Sequence, residues 1–93
     1  MFIQARVVEV LPKTSFKGRE GQVDVQPVIF QSISGAFYAE LLDKTITSWE
    51  QAGIKVGDRV HLLCSLSLSD WDSKTSGVKM YKNNIRVTQF FSF

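Results

Sequence analysis

Ninety-three residues, 44% of them hydrophobic and 22% charged, allow one modest core in an ordinary globular composition, read as a single domain over 1–93. No apolar run approaches the ~20 residues of a membrane-spanning helix. The start, MFIQARVVEV, lacks the basic, apolar and small-residue blocks of a secretory signal, and the lone cysteine, Cys64, excludes an internal disulfide and suits a reducing cytoplasm. The net charge of +2 is too small to name a partner, but it is unevenly spread. Residues 1–19 carry four cations against Glu9, residues 73–93 four cations and no acid, and residues 20–72 three cations against eight acids. If the two ends meet in the fold, they form a basic surface that steers an anionic partner.

In chain order, Phe2 to Leu11 is rich in Val and Ile and predicts a first strand. Ile3, Ala5 and Val7 share one face, and VVEV breaks the alternation, which predicts a bulge or a bend between sheet faces. Pro12 ends the strand, and KTSFKGREGQ reads as a polar hairpin loop carrying Phe16. In the second strand Val23, Val25, Pro27 and Ile29 alternate with Asp24, Gln26, Val28 and Phe30. Phe30 is placed on the outer face with Gln26, and Pro27 predicts an edge or a bulge because it lacks a ladder donor. AFYAELL is a short third strand, with Tyr38 outward and Phe37 inward.

A short helix follows. Asp43 is a cap candidate, Thr47 to Glu50 has capping-box spacing, and Ile46, Trp49 and Ala52 form its apolar stripe. Gly53 closes it in the left-handed conformation, with Ile54 packing back. After the KVGD turn, VHLLCSLSLSDW has strand-like patterning, with Val60, Leu62, Cys64, Leu66 and Leu68 on the face read as core and His61, Leu63, Ser65, Ser67, Ser69 and Trp71 on the other. DSKTSG is the turn into a last strand, in which Tyr81, Ile85 and Val87 oppose Lys82, Asn84, Arg86 and Thr88.

Three strands, one helix and two strands is the element order of an all-β chain with one inserted helix: a five-stranded OB-fold barrel with the helix between strands three and four. An SH3-like barrel is the rival, and it does not usually place a helix there. Catalysis finds little support, and neither a metal nor a cofactor is expected. His61 and Cys64 lie three apart on a strand and so point to opposite faces, no His/Cys spacing fits a metal, and the acids are scattered. Phosphate tracks and base-stacking faces are better represented. In an OB-fold the ligand crosses strands two and three between the loops joining strands one to two and four to five. The first loop carries Lys13, Phe16, Lys17 and Arg19; the second carries Trp71, Lys74 and Lys79. Each aromatic also has a structural alternative. Trp71 would seal the barrel mouth, Phe30 would make a dimer contact, and Phe90, Phe91 and Phe93 would close the last strand or meet another subunit.

The segment VGDRVHLLCSLSLSDWDSKTSGVKMYKNNIRV resembles the bacterial single-stranded-DNA-binding proteins. Their corresponding segment runs K-G-(S/D)-x-V-x-V-x-G-x-L, then a Trp-bearing hairpin, then a strand that starts near an aromatic. The resemblance implies that Trp71 stacks on bases and that a third-strand aromatic, Phe37 or Tyr38, does the same. It departs from the family where Cys64 or Ser65 replaces a glycine and where these residues stop at FFSF without a Gly/Gln-rich linker and acidic tip. The KGREGQ loop is also similar to that of the short DNA-binding proteins of filamentous phages, and a compact chain without that tail fits a phage, plasmid or other mobile-element protein as well as a primosome-like accessory protein.

The expected activity is sequence-independent binding of single-stranded DNA in replication or recombination, by a homodimer or larger homo-oligomer in the cytoplasm of a bacterium or a phage-infected host. Arg6, Lys13, Lys17, Arg19, Lys74, Lys79, Lys82 and Arg86 would neutralise phosphates, and Phe16, Phe30, Tyr38 and Trp71 would stack on bases. Nothing reads a 2′-hydroxyl, so single-stranded RNA stays open. The alternative from another class is a protein-interaction module, a replisome or primosome accessory that uses Phe30 and the Phe-rich end to hold a partner.

Overall fold

The computed structural model describes residues 1–75 and 77–92. The elements are β1 (Phe2–Val10), β2 (Thr14–Gly18), β3 (Gly21–Ser32), β4 (Gly35–Leu42), α1 (Lys44–Ala52), β5 (Arg59–Asp72) and β6 (Lys79–Ser92). Hydrogen bonding runs β1-β5-β6-β4-β3-β2, and β1 also pairs with β3, which closes five strands into a ring and leaves β2 as an outrigger on β3. All pairings are antiparallel except the Glu40–Arg86 bridge between β4 and β6.

Closure depends on β1 serving two neighbours. Phe2 to Arg6 pair with β5, Arg6 to Val10 pair with β3, and the register slips between Val7 and Glu9. That slip is the bend expected at VVEV. Pro27 sits where β3 changes partners, from Val10 opposite Val28 to Thr14 opposite Val25. Its missing N–H therefore falls where β3 has no strand on that side, while its carbonyl accepts from Leu11 N (3.1 Å). Gln26 is buried there, and its Nε2 donates to the carbonyls of Leu11 (2.6 Å) and Pro27 (2.9 Å). A buried amide placed this way satisfies the crossover instead of disrupting the core.

The core contains Val7, Val28, Phe30, Ala39, Leu41, Val60, Leu62, Cys64 and Val87, and α1 covers it with Ile46 and Trp49. Trp49 meets Phe30 (5.9 Å between centroids) and Phe90 (5.3 Å) edge-on, the geometry aromatic quadrupoles favour. Gly53 closes α1 at φ 67, its N–H donating to Glu50 O, and Ile54 packs on the core as expected. The helix start differs from the expected cap: Asp43 caps by position without a side-chain hydrogen bond to the helix, because its Oδ1 accepts instead from Asp24 N at 3.0 Å. Ala52 lies outside the apolar stripe and is exposed.

Beyond Leu63 the β5–β6 hairpin outruns the barrel. β1 pairs with β5 only as far as Phe2–Leu63, whereas β6 follows β5 to Asp72–Lys79. Leu66 and Leu68 keep the parity of Cys64, yet they are 59% and 64% exposed because no strand or helix among the described residues covers that face of the arm. The core face expected over Val60–Leu68 therefore ends at Cys64. The arm also stretches the molecule: its radius of gyration is 14.6 Å, against ~12 Å for a compact chain of this length. Thr88 is the extra residue where the register slips, and its hydroxyl donates to Leu63 O (2.9 Å).

Candidate nucleic-acid interface

The side chains facing out of β3, β4 and β6 follow from register, since directly paired residues share a face. Ile29 pairs with Tyr38, Pro27 with Glu40, and Glu40 with Arg86. On the arm the same outer face continues through Ser65–Arg86, Ser67–Asn84, Ser69–Lys82 and Trp71–Met80. Tyr38, Lys82, Arg86 and Trp71 therefore belong to one surface. Tyr38 is 40% and Trp71 47% exposed, so each offers a ring face to solvent, and Trp71 stands on the arm instead of sealing the barrel mouth. Lys82 Nζ lies 5.9 Å from the Tyr38 centroid. Asn84 Nδ2 donates to Ser69 Oγ (2.6 Å), which ties the two strands together beneath Lys82.

Tyr38 also donates to Glu40 Oε2 at 3.3 Å. Partial burial first, then the charge and hydrogen bond of Glu40, push its phenol above the ordinary value. It stays a neutral donor at neutral pH, adding no negative charge to a surface that carries Lys82 and Arg86. Burial likewise pushes the Cys64 thiol up, partly offset by the N-terminal ammonium, and Cys64 lies in the core while His61 shares the outer parity of β5. Among the described residues no group of three or more His, Cys, Asp or Glu could hold a metal, and no helix is long and apolar enough to cross a membrane.

The other expected site residues divide. Phe16, 44% exposed, projects from β2 opposite Val23, six residues and about 20 Å along β3 from Ile29. With Arg19 at the adjacent turn it belongs to a second arm, at the end of the β3–β4 face opposite Trp71. Lys17 pairs with Gln22, on the reverse side of β2 from Phe16. Lys13 is engaged by Glu50 of α1, and Lys74 lies in the turn at the tip of the β5–β6 arm. Arg6 faces out of β1, opposite Gln31 and Arg59.

One expectation is corrected, and Lys79 falls on a different face from its expected partners. Phe30 is 0% exposed and stacks on Phe37 (5.4 Å), so no base reaches it. Both parities of β3 are apolar, so alternation left its phase undetermined; pairing with Val7 of the core turns Phe30 inward. Lys79 pairs with Asp72 and bridges Asp70 at 3.3 Å, which puts it on the opposite face of the arm from Trp71 and Lys82. The residue missed in the sequence is Met80. It pairs with Trp71 and is 42% exposed, a position found by counting outward from the SKTSG turn.

A five-strand ring closed by β1, with a parallel β4–β6 bridge and a helix between the third and fourth ring strands, decides the architecture. The fold is the OB-fold. Solved structures agree. The second OB-fold domain of replication protein A from Methanococcus maripaludis superposes with a TM-score of 0.61 at 20% identity, covering 98% of this chain and 80% of that one. The mitochondrial single-stranded DNA binding protein from S. cerevisiae gives 0.65 at 10% identity, covering 99% and 91%. At these identities the likeness is one of fold. No protein-family model and no curated protein matches the chain. The Tyr38–Lys82 surface is the OB-fold face that receives oligonucleotides and oligosaccharides in other barrels.

Proposed function

We propose that this OB-fold binds single-stranded DNA with little sequence preference and without catalysis, in replication or recombination. The observation that carries this reading is the placement of Tyr38, Lys82 and Trp71 on one outer surface, with the Lys82 ammonium over the Tyr38 ring. Bases have π-faces of every sequence and phosphates recur along every strand, so stacking rings interleaved with cations bind without reading sequence. The OB-fold neighbours described as a replication protein A domain and a single-stranded DNA binding protein support the same reading. A homodimer would present two such faces to one strand and gain avidity.

The protein-interaction alternative loses two of its aromatics, because Phe30 is in the core and Phe90 packs on Trp49; Phe93 lies outside the described residues. The test is titration with oligo-dT at low and moderate salt, following Trp fluorescence. Trp71 is the exposed reporter and Trp49 the buried one. Saturable quenching that weakens with salt and disappears in Trp71→Phe is expected, and Trp71→Ala should bind about 5- to 150-fold more weakly, since a stacked base is worth ~1–3 kcal/mol. Unchanged fluorescence at micromolar protein in low salt overturns the proposal.

A further inference from the structure

Arg6 and Arg59 pair directly across β1 and β5, both exposed on the outer face. Like charges directly opposite one another on a sheet repel and destabilise it. Neither arginine makes an ion pair among the described residues. Asp58, next to Arg59, turns its carboxylate to Lys55 N (2.8 Å). Glu9 lies beyond the bulge, opposite Ile29.

The pair is also placed in line with the Tyr38 surface. Ala36, two residues before Tyr38 on the same face of β4, pairs with Gln31; Gln31 pairs with Arg6, and Arg6 with Arg59. All four are exposed. With strands about 4.8 Å apart, this row carries the surface some 14 Å around the barrel from β4 to β5. Beside it lies an open groove of about 900 Å³, bounded by Phe2, Gln4 and Arg6 on one side and Gln31 to Ser34 on the other. Phe2 and Ile33 are exposed in its walls.

We infer that Arg6 and Arg59 form a phosphate-binding site for the continuation of the same single strand of DNA. A strand stacked on Trp71 and Tyr38 passes over Ala36 and Gln31, its backbone meets the two guanidiniums, and the adjoining nucleotide enters the groove beside Phe2. Guanidinium forks match phosphate oxygens in pairs, and the bound phosphate removes the repulsion that the free protein tolerates. Arg59 thereby joins the site, although it opens a strand just after a turn and nothing in its local sequence marks it. This inference rests on the single-stranded DNA reading.

The test is the salt dependence of oligo-dT affinity for wild type, Arg6→Gln/Arg59→Gln, Arg6→Lys/Arg59→Lys and Lys82→Gln. For single strands the slope of log affinity against log salt is about −0.7 per neutralised phosphate. The Gln pair should flatten it by about 0.7, one phosphate's worth, which makes the loss between 50 and 200 mM salt about 2.6-fold smaller than for wild type. The Lys pair should restore most of the slope, and the Gln pair should unfold in urea no earlier than wild type. A wild-type slope in the Gln pair, with Lys82→Gln still flattened, overturns this site and leaves the Tyr38 surface standing. Failure of wild type to bind oligo-dT overturns both.

Discussion

The Lys82 ammonium stands 5.9 Å from the centre of the Tyr38 ring, so a cation carried by β6 covers an aromatic carried by β4. A contact of this type is worth ~0.5–1 kcal/mol at an exposed site, enough to bias where the charge sits and little enough to yield to a phosphate. Lys82→Gln should lower oligo-dT affinity and flatten the salt slope by about 0.7. Lys79→Gln should leave that slope unchanged, because Lys79 faces the other way and bridges Asp70. A salt series on the two variants decides it; the reverse ranking would mean that DNA lies on the Leu66–Tyr81 face of the arm.

Phe30 separates a structural role from a binding role. Phe30→Ala opens a cavity among Val7, Phe37 and Trp49 and should cost ~3–5 kcal/mol in urea unfolding. The milder Phe30→Leu should stay folded, change the emission of the adjacent Trp49, and bind oligo-dT as wild type does. A large affinity loss in folded Phe30→Leu would return this ring to the site.

Gln26 holds the β1–β2 crossover by donating to Leu11 and Pro27. Gln26→Leu leaves both carbonyls without these bonds and should cost ~1–3 kcal/mol. The crossover should loosen first, so limited trypsin digestion is expected to speed up at Lys13, Lys17 and Arg19 before the core unfolds. Equal cleavage rates in variant and wild type would show that Leu11 and Pro27 hold the crossover without the amide.

The raised phenol of Tyr38 gives a pH dependence of defined sign. The folded chain holds this proton more tightly than the unfolded chain, chiefly through burial and then through Glu40. Its stabilising effect is complete below the ordinary tyrosine value of about 10 and is lost as pH rises through the higher folded value. Urea midpoints measured from pH 9 upward should fall less steeply in Tyr38→Phe than in wild type. Glu40→Gln should fall at an intermediate rate, because burial remains. Identical curves for wild type and Tyr38→Phe would refute this account.

Much of the barrel was legible in local pattern. Alternation located the five ring strands but not β2, Thr14–Gly18, which had the composition of a loop; the Ile46/Trp49 spacing with Gly53 located the helix and its end, and VVEV announced the bend that lets β1 serve two neighbours. These features depend on residues adjacent in sequence and on the two backbone periods, so the chain determines them wherever it lies. That Tyr38 and Phe37 face opposite sides follows from the same alternation; the structure sets Phe37 against the core and Tyr38 in solvent.

Tertiary structure decided the rest. Phe30 and Lys79 each lie on a strand with usable residues on both faces, and only the partner strand chooses the phase: Val7 turns Phe30 inward, and Asp72 aligns Lys79 with Asp70. Leu66 and Leu68 continue a core pattern beyond the point where β1 stops covering β5, so their exposure depends on the length of another element. Arg6 and Arg59, fifty-three positions apart, meet only because barrel closure sets β1 beside β5. Alternation says which side chains share a face; which face meets water, and what lies across from it, is settled by strands distant in sequence.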